Sequence, residues 1–314
     1  MATAARRGLS AAIAAVILLV ASSCLSRDDN PFAGRDGYVW PGSAAATAAE
    51  EATGSEAEAL RHIASTPTAV WLTPEAHPRG EAAEFVSEIV RDADGRLVVF
   101  VVYGVTARDC VDGESSGGLP ADDYRAWVEE IAGALDGDPV VVVEPDALGT
   151  LAECGDEDER LDLLDFAVGE LSGPASVYLD AGHSDWIDAD TMADRLRRAG
   201  VEQARGFSLN VANYQSDAHE LAYAEQIRES LPEAHYIVDS SRNGRGAVPG
   251  EWCNVEGRAL GVTSAAVEDG SALDARWWVK PPGESDGQCR GGPPAGEFSV
   301  SLAVELARGA GVGG

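Results

Sequence analysis

Short apolar runs, many of them rich in β-branched residues, recur along the chain from residue 69 onward. Each run is continuously apolar and does not alternate with polar positions, which is typical of parallel strands buried on both faces of a sheet. Seven runs stand out, at residues 69–72, 97–103, 140–143, 176–179, 206–209, 236–238 and 276–279. We therefore predict seven buried strands at these positions.

Longer amphipathic segments separate the runs and predict helices. Residues 122–135 place apolar side chains at three- and four-residue spacing on one face, as a helix against a core requires. Helical patterns of the same kind occupy residues 44–63, 156–171, 189–199 and 217–231. Strand followed by helix about seven times indicates an α/β fold, and a β/α barrel fits this rhythm better than an open sheet.

Polar residues directly follow six of the predicted strands. In a parallel barrel the carboxyl ends of all strands lie on one face, so these side chains converge on one cleft. A single aspartate after a strand is ordinarily a helix cap or a turn residue, but six polar strand ends in series indicate a functional site. The residues concerned include Asp109, Asp146, Asp180, His183, Asn210, Asp239 and Lys280.

The first 24 residues have the features of an export signal. Arg6 and Arg7 precede the apolar run 11–21, which is short and rich in alanine and fits a signal peptide better than a membrane span. Small residues then lead to Cys24, as in bacterial lipoprotein signals. We expect export, with residues 1–24 as the signal and either a lipid anchor at Cys24 or simple secretion. Residues 25–314 should form one domain, because no linker or repeat divides them.

The charge and the cysteines narrow the class of protein. The chain of 314 residues has 53 acidic and 23 basic residues and a formal net charge of -30, so we expect no nucleic-acid partner. Four cysteines remain beyond the signal, and in an oxidising compartment they predict two disulfides with three possible pairings. None of them has the Cys-x-x-Cys spacing of a zinc site.

Two other chemistries fit the sequence poorly. The run from Gly283 to Gly287 matches the Gly-x-Ser-x-Gly elbow of serine hydrolases, but all five histidines precede Ser285, whereas that fold places the base after the nucleophile. No histidine and carboxylate cluster has the spacing of a metal site, and the glycines of residues 244–250 complete no phosphate-binding pattern. We therefore expect neither a metal nor a cofactor.

Carboxylate chemistry remains. Glycoside hydrolysis needs a protonated carboxylic acid beside a carboxylate, together with aromatic planes that hold sugar rings. Four aspartates lie on the predicted face, Asp109, Asp146, Asp180 and Asp286. One tryptophan is more often a core residue than a sugar platform, but near several carboxylates the platform interpretation becomes competitive. The tryptophans in or beside loops at this face are Trp71, Trp186 and Trp252.

Several short motifs follow one another along the chain. The motifs are Arg108-Asp109-Cys110 after Tyr103, Glu144-Pro145-Asp146-Ala147-Leu148, Tyr178-Leu179-Asp180-Ala181-Gly182-His183, Gly206-Phe207-Ser208-Leu209-Asn210, Ser241-Arg242-Asn243-Gly244, Trp252-Cys253-Asn254, and Trp278-Val279-Lys280 before Gly283-Glu284-Ser285-Asp286-Gly287. With these motifs, the chain from residue 30 to about residue 306 resembles glycoside hydrolase family 6, the endoglucanases and cellobiohydrolases. The resemblance implies a distorted, TIM-like barrel of seven parallel strands in a single catalytic domain.

The resemblance also implies an inverting mechanism and roles for individual residues. Asp146 would be the general acid, and Asp180 would tune its pKa and steady the charged transition state. Asp109 would couple to Asp146 and help relay a proton from the attacking water, and Asp286 is the family's usual candidate base. Tyr103 would press on the sugar ring that is cleaved.

The expected substrate is a β-1,4-glucan or a cello-oligosaccharide. By the resemblance, Lys280 and Glu284 would hydrogen-bond sugar hydroxyls, and Trp71, Trp186 and Trp252 would stack on sugar rings. His183 and Asn210, at strand ends, are further candidates for substrate binding.

The disulfides implied by the resemblance are Cys110–Cys154 and Cys253–Cys289, each holding a loop that carries Asp109 or Asp286. The short chain after Lys280 favours an open cleft and internal, endo-type cutting. We expect a monomer that meets a membrane only through a lipid anchor at Cys24. The alternative is a surface glucan-binding protein that keeps the fold and turns over little substrate. A serine esterase, which would lose activity when Ser285 is replaced, is a third hypothesis.

Overall fold

The computed structural model of the protein describes residues 29–111 and 113–314, so the predicted signal and Cys24 lie outside the described residues. Helices and strands alternate along this part of the chain. They are α1 (Ala44–Glu51), α2 (Gly54–Ala64), β1 (Val70–Leu72), α3 (Ala82–Ala93), β2 (Val99–Val102), α4 (Ala121–Ala132), β3 (Val140–Val143), α5 (Glu157–Leu171), β4 (Ser176–Asp180), α6 (Ala189–Arg198), β5 (Gly206–Leu209), α7 (Asp217–Ser230), β6 (His235–Asp239), β7 (Ala265–Ala266), β8 (Leu273–Trp277) and α8 (Val300–Gly309). Short 3-10 turns lie at Val201–Gln203 and Cys289–Gly291.

The strands form one curled sheet in the order β1-β2-β3-β4-β5-β6-β8-β7. Every neighbouring pair is parallel except β7 and β8, which are antiparallel. A single parallel bridge joins Thr68, just before β1, to Trp278, just after β8. The predicted α/β class is confirmed, and the parallel strands curl towards a barrel.

The predicted count of seven strands is corrected to eight. The added strand, β7, has two residues and no apolar run of its own, so the sequence pattern did not reveal it. The last predicted strand, 276–279, is also shifted, because β8 covers Leu273–Trp277. The chain leaves the ladder after Trp277, where the N–H of Trp278 donates to Ser264 Oγ (2.9 Å) and that of Lys280 to the Asp239 carboxylate (3.0 Å).

Both faces of the sheet are buried, as continuous apolar strands predict. In β2, Phe100 and Val102 pack outward against the helices, whereas Val99 and Val101 point into the barrel. All four valines of β3 are fully buried. A separate cluster joins α1, α2 and α8 around Trp278. No helix of residues 29–111 and 113–314 combines the length and the apolar character needed to cross a bilayer.

Candidate active site

A cleft of about 380 Å³ opens at the carboxyl ends of the strands. Nine of the twelve residues predicted for catalysis or substrate binding line it: Trp71, Tyr103, Asp109, Asp146, His183, Trp186, Trp252, Lys280 and Asp286. Asp180, Asn210 and Glu284 do not line this cleft. The loops that follow β2, β3, β4, β5, β6 and β8 all contribute residues to the cleft, and Trp71 of β1 lines it as well. This is the convergence expected from a parallel barrel.

Asp146 lies directly after β3 and is half-buried at the cleft. Its φ is 67° and that of Glu144 is 49°, in the left-handed region that costs a non-glycine residue about 1–3 kcal/mol. The Asp146 N–H donates to Asp180 Oδ1 at 3.0 Å, and its carbonyl accepts from the Thr150 hydroxyl at 3.0 Å. These bonds hold a strained backbone, so the Asp146 carboxyl is presented from a fixed position.

Asp180 lies at the end of β4 and is fully buried beneath the cleft. Its Oδ1 accepts from the N–H of Asp146 and from that of Gly182 (2.9 Å), and its Oδ2 accepts from Ser208 Oγ (3.0 Å). Burial raises the pKa of Asp180, these hydrogen bonds oppose the rise, and the nearby charge of Asp239 adds to it. Asp180 therefore does not contact the cleft directly. It can act there in two ways: its hydrogen bond positions the backbone of Asp146, and its charge contributes to the electrostatic field.

Glu144 is a buried carboxyl that the sequence motif contained but to which no role was assigned. Its oxygens accept from the N–H of Gly104 (2.9 and 3.0 Å) and of Val105 (3.1 Å), so it ties the end of β2 to the end of β3. Burial raises the pKa of Glu144 to about 7, and the two backbone donors oppose that rise. Glu144 fixes the strand end from which Asp146 follows.

Asp109 is held in a loop that several groups brace. Its Oδ2 accepts from the N–H of Ser115 at 2.6 Å, and the next residue forms the disulfide Cys110–Cys154, as predicted. Arg160, buried on α5, donates to the carbonyls of Thr106 (2.9 Å) and Ala107 (2.8 Å). Sequence reasoning missed Arg160, because a basic residue on a helix gives no sign that it points inward.

Asp286 is the most heavily bonded carboxylate of the cleft. Arg242 Nη1 lies 2.8 and 2.9 Å from its two oxygens, and Oδ2 also accepts from the N–H of Asn254 (2.8 Å) and the Tyr214 hydroxyl (3.2 Å). The Arg242 guanidinium stacks on the Tyr214 ring at 4.3 Å. The predicted disulfide Cys253–Cys289 closes the loop around it. Asp286 therefore enters the cleft as one half of a buried ion pair.

Tyr103 lines the cleft beside the Trp71 ring, and the charge of Asp146 acts on its phenol. Arg108 Nη1 donates to the Tyr103 carbonyl at 2.7 Å, and its guanidinium lies 4.4 Å from the centre of the tyrosine ring. The Trp71 ring meets Tyr103 edge to face at 5.4 Å. Burial, with the charge of Asp146, raises the pKa of Tyr103 well above its usual value, so the phenol is neutral.

Three tryptophans give the cleft flat apolar surfaces. Trp186 and Trp252 expose 39% and 40% of their area, which is high for large aromatic side chains in a folded protein. Trp71 is held by a bond from Nε1 to the Val279 carbonyl (2.8 Å), and Lys280 Nζ lies 5.3 Å from its ring centre. Exposed indoles beside carboxylates form the kind of surface on which sugar rings stack.

Asn210 and Glu284 lie outside the cleft. Asn210 Nδ2 donates to the Asp239 carbonyl (2.8 Å), and its Oδ1 accepts from the N–H of Gln215 (2.9 Å), so it joins two loops. Glu284 lies behind Lys280, with 3.8 Å between Oε2 and Nζ. Their predicted contacts with sugar remain predictions.

The serine of the elbow-like motif is buried. Ser285 Oγ lies 2.9 Å from the carbonyl oxygens of both Gly287 and Pro293, to which its one proton can be donated, and is fully shielded from solvent. Across residues 29–111 and 113–314, no three His, Cys, Asp or Glu side chains are grouped so that they could hold a metal ion. The chemistry that the cleft offers is that of its carboxyl groups.

Comparison with known proteins agrees with this geometry. The sequence profile of Glycosyl hydrolases family 6 matches residues 32–310. The chain is 43% identical to Endoglucanase A of Cellulomonas fimi over 277 residues, which cover 87% of this chain and 61% of the relative. It is 36% identical to Endoglucanase 1 of Streptomyces halstedii, with 96% of this chain and 97% of the relative covered.

A solved structure gives the same result. The endoglucanase Cel6 from Mycobacterium tuberculosis, in complex with a methyl-cellobiosyl-4-deoxy-4-thio-β-D-cellobioside, superposes with a TM-score of 0.85 and 41% identity. The superposition covers 90% of this chain and 100% of that one. The chain spans 61% and 66% of the length of the curated relatives from Cellulomonas fimi and Thermobispora bispora.

Proposed function

We propose that this chain, which belongs to glycosyl hydrolases family 6, is an inverting endo-β-1,4-glucanase that cleaves internal bonds of cellulose or a related β-glucan. One observation carries the proposal: Asp146 stands half-buried on a strained backbone fixed by Asp180, in an open cleft that Tyr103 and the exposed ring of Trp186 also line. A buried carboxyl, a fixed acid and flat aromatic surfaces are the parts that glycoside hydrolysis needs.

In the proposed reaction, protonated Asp146 gives its proton to the glycosidic oxygen as the bond from that oxygen to C1 breaks. A water attacks C1 from the opposite face of the ring, so the configuration at C1 is inverted. The proton lost by the water passes to a carboxylate, with Asp286 as the proposed base, and is then released to solvent. Asp109 couples to Asp146 and helps relay this proton from the attacking water. Asp146 takes up a proton from solvent before the next cycle.

Asp180 and Tyr103 complete the reacting centre. The negative charge of Asp180 stabilises the positive charge that develops at C1, and its bond to the Asp146 N–H fixes the acid. Tyr103, held by Arg108, presses on the ring in the subsite where cleavage occurs and favours a distorted sugar. Trp71, Trp186 and Trp252 stack on neighbouring rings, and Lys280 and His183 bind sugar hydroxyls.

Export is part of the proposal. Two disulfides within the folded domain require an oxidising compartment to form and persist, which supports a protein that acts outside the cytoplasm. We propose that residues 1–24 direct export, with lipid attachment at Cys24 as one route to the cell surface and the folded domain acting as a monomer. Globomycin treatment, followed by mass spectrometry of the mature protein, distinguishes a lipidated Cys24 from simple cleavage.

The test compares wild type with Asp146→Asn on hydroxyethylcellulose, an uncharged soluble glucan, by viscosity and by reducing ends. We expect the wild type to lower the viscosity early with few reducing ends and to release the α-anomer first, as seen by NMR. Asp146→Asn should lose hydrolysis and keep its affinity for cellotetraose in calorimetry. Asp122→Asn, a fully exposed position on α4, is the matched control.

An inactive wild type that still binds cellotetraose would favour the alternative of a glucan-binding surface protein. First release of the β-anomer would contradict inversion. Activity that survives in Asp146→Asn would remove this residue from the role of the acid.

A further inference from the structure

The cleft contains many more acidic than basic side chains. Its lining includes the carboxylates of Asp109, Asp146, Glu153, Asp185, Glu251 and Asp286. Among the described residues that line it, Lys280 is the only lysine or arginine. This local excess adds to a formal net charge of -30 for the whole chain.

Four of these six carboxylates have a partner or a proposed role. Asp286 is paired with Arg242, and Glu251 is paired with Arg290 at 2.8 Å. Asp109 and Asp146 belong to the proposed reaction. Glu153 and Asp185 are left, both solvent-exposed and both without a side-chain hydrogen bond or ion pair among the residues the structure describes.

Both residues lie on loops that pack around Trp186. Asp185 precedes it in the chain, and Glu153 follows the turn of Gly149, where an added Cβ would lie only 2.6 Å from the Trp186 ring. The Glu153 N–H donates to the Thr150 carbonyl at 3.0 Å, and the neighbouring Cys154 is cross-linked. The two carboxylates therefore line the same cleft as the exposed Trp186 ring.

Asp185 forms no ion pair with the described residues, and its N–H donates to His183 Nδ1 at 3.3 Å. The positive charge recorded at the neighbouring turn is that of Arg195, whose Nη1 donates to the Gly149 carbonyl at 3.3 Å. Burial lowers the pKa of His183 to about 4, so the ring is neutral near pH 7. The His183 ring therefore adds no positive charge beside Asp185 near pH 7.

We propose that Glu153 and Asp185 determine the charge class of the glucan chain accepted over Trp186, because they disfavour units that carry carboxylate groups relative to uncharged units. The inference rests on the proposed glucanase function and adds a substrate class to it. A carboxylate on a sugar bound in this cleft would share it with two further negative side chains. Like charges so placed cost roughly a tenfold loss of affinity at low salt, and screening reduces that loss.

The experiment compares carboxymethylcellulose with hydroxyethylcellulose of matched chain length and degree of substitution. The quantity measured is the ratio of kcat/KM on the two polymers at low ionic strength and in about 0.5 M salt. The variants are wild type, Glu153→Gln with Asp185→Asn, and a control that changes net charge equally, Glu58→Gln with Asp162→Asn. The control residues are exposed on α2 and α5, away from the cleft.

We expect the cleft variant to shift the ratio about tenfold towards carboxymethylcellulose at low salt, mainly through KM. Salt should produce a similar shift in the wild type and little further change in the variant, while the control keeps the wild-type ratio. Circular dichroism and Tm of each variant verify folding, and the single substitutions replace the double variant if it does not fold.

An unchanged ratio in folded, active cleft variants would overturn the proposal. An equal loss on both polymers would also overturn it, because it would assign the two residues to general sugar contacts. A wild type that hydrolyses neither polymer would instead contradict the proposed glucanase function, so the two failures are distinguishable.

Discussion

Two replacements of Asp180 separate the contribution of its negative charge from that of its hydrogen bonds. In Asp180→Asn the remaining oxygen can still accept from the N–H of Asp146 and of Gly182, and the new amide can donate to Ser208 Oγ. In Asp180→Ala all three groups lose their partner. The first variant removes the charge and keeps the geometry, whereas the second removes both.

The expected magnitudes differ accordingly. At an effective dielectric constant of about 20, a unit charge several ångströms from the developing positive charge contributes about 3 kcal/mol, which is roughly 100-fold in kcat. Each buried polar group left without a partner costs about 1–3 kcal/mol, so Asp180→Ala should destabilise the fold by about 3 kcal/mol or more. For a domain of this size that lowers Tm by roughly 6–12 °C.

The assay is therefore kcat on cello-oligosaccharides and Tm by calorimetry, for the wild type and both variants at one pH above the raised pKa of Asp180, where its negative charge is present. Asp180→Asn should lose about 100-fold in kcat while its Tm stays near or above that of the wild type, because the amide removes a buried acid. Asp180→Ala should lose at least as much activity and also several degrees of Tm. A kcat of Asp180→Asn within twofold of wild type would refute the electrostatic role. A Tm that falls equally in both variants would refute the hydrogen-bond argument.

Three further perturbations test other parts of the site. Replacing Cys253 and Cys289 by serine removes a cross-link over 36 residues and should lower the free energy of unfolding in urea by roughly 3–4 kcal/mol, whereas an unchanged midpoint would contradict this. Burial raises the pKa of Glu220 from 4.5 to about 7, so its stabilising contribution is complete below pH 4.5 and is lost as pH rises to about 7. Glu220→Gln should flatten the stability curve in that window, where the wild-type slope from this group reaches about 1.4 kcal/mol per pH unit. Gly149→Ala should displace the Trp186 ring and raise KM for cellopentaose several-fold with little change in kcat, and an unaltered KM would show that the indole does not hold sugar.

Much of the fold follows from the chain's apolar pattern, because residues buried on both faces of a sheet leave a continuous apolar run. The strand β3 lies at residues 140–143 as predicted. The helices α3 and α8 were not predicted individually. The buried residues of α3, Ala82, Val86, Ile89 and Ala93, have the three- and four-residue spacing of an amphipathic helix, so the sequence does carry a signal for this helix.

The candidate site was less fully predictable. A polar residue at the carboxyl end of a parallel strand is predicted to lie on the cleft face of the barrel. Its position in the sequence does not show whether its side chain enters the cleft or turns beneath it. Asp146 lines the cleft, whereas Asp180 and Asn210 point under it and accept or donate hydrogen bonds to neighbouring loops. The ion pair of Arg242 with Asp286 joins residues 44 positions apart, and local sequence carries no sign of such a pairing.

The carboxyl groups under the cleft explain how the half-buried Asp146, the proposed acid, can be placed with accuracy. Asp239 accepts from the N–H of Ser241 (2.8 Å), Lys280 (3.0 Å) and Ala212 (3.1 Å), so one side chain fixes the loops after β5, β6 and β8. Asp180 does the same for the loops after β3 and β4. Burial raises the pKa of both carboxyls, which is a cost to stability, and the backbone donors that they collect offset part of it. Because those donors belong to the loops that carry Asp146 and Lys280, we expect the buried carboxyls to hold the cleft in shape before substrate arrives, which is where preorganised electrostatic catalysis gains its advantage over water.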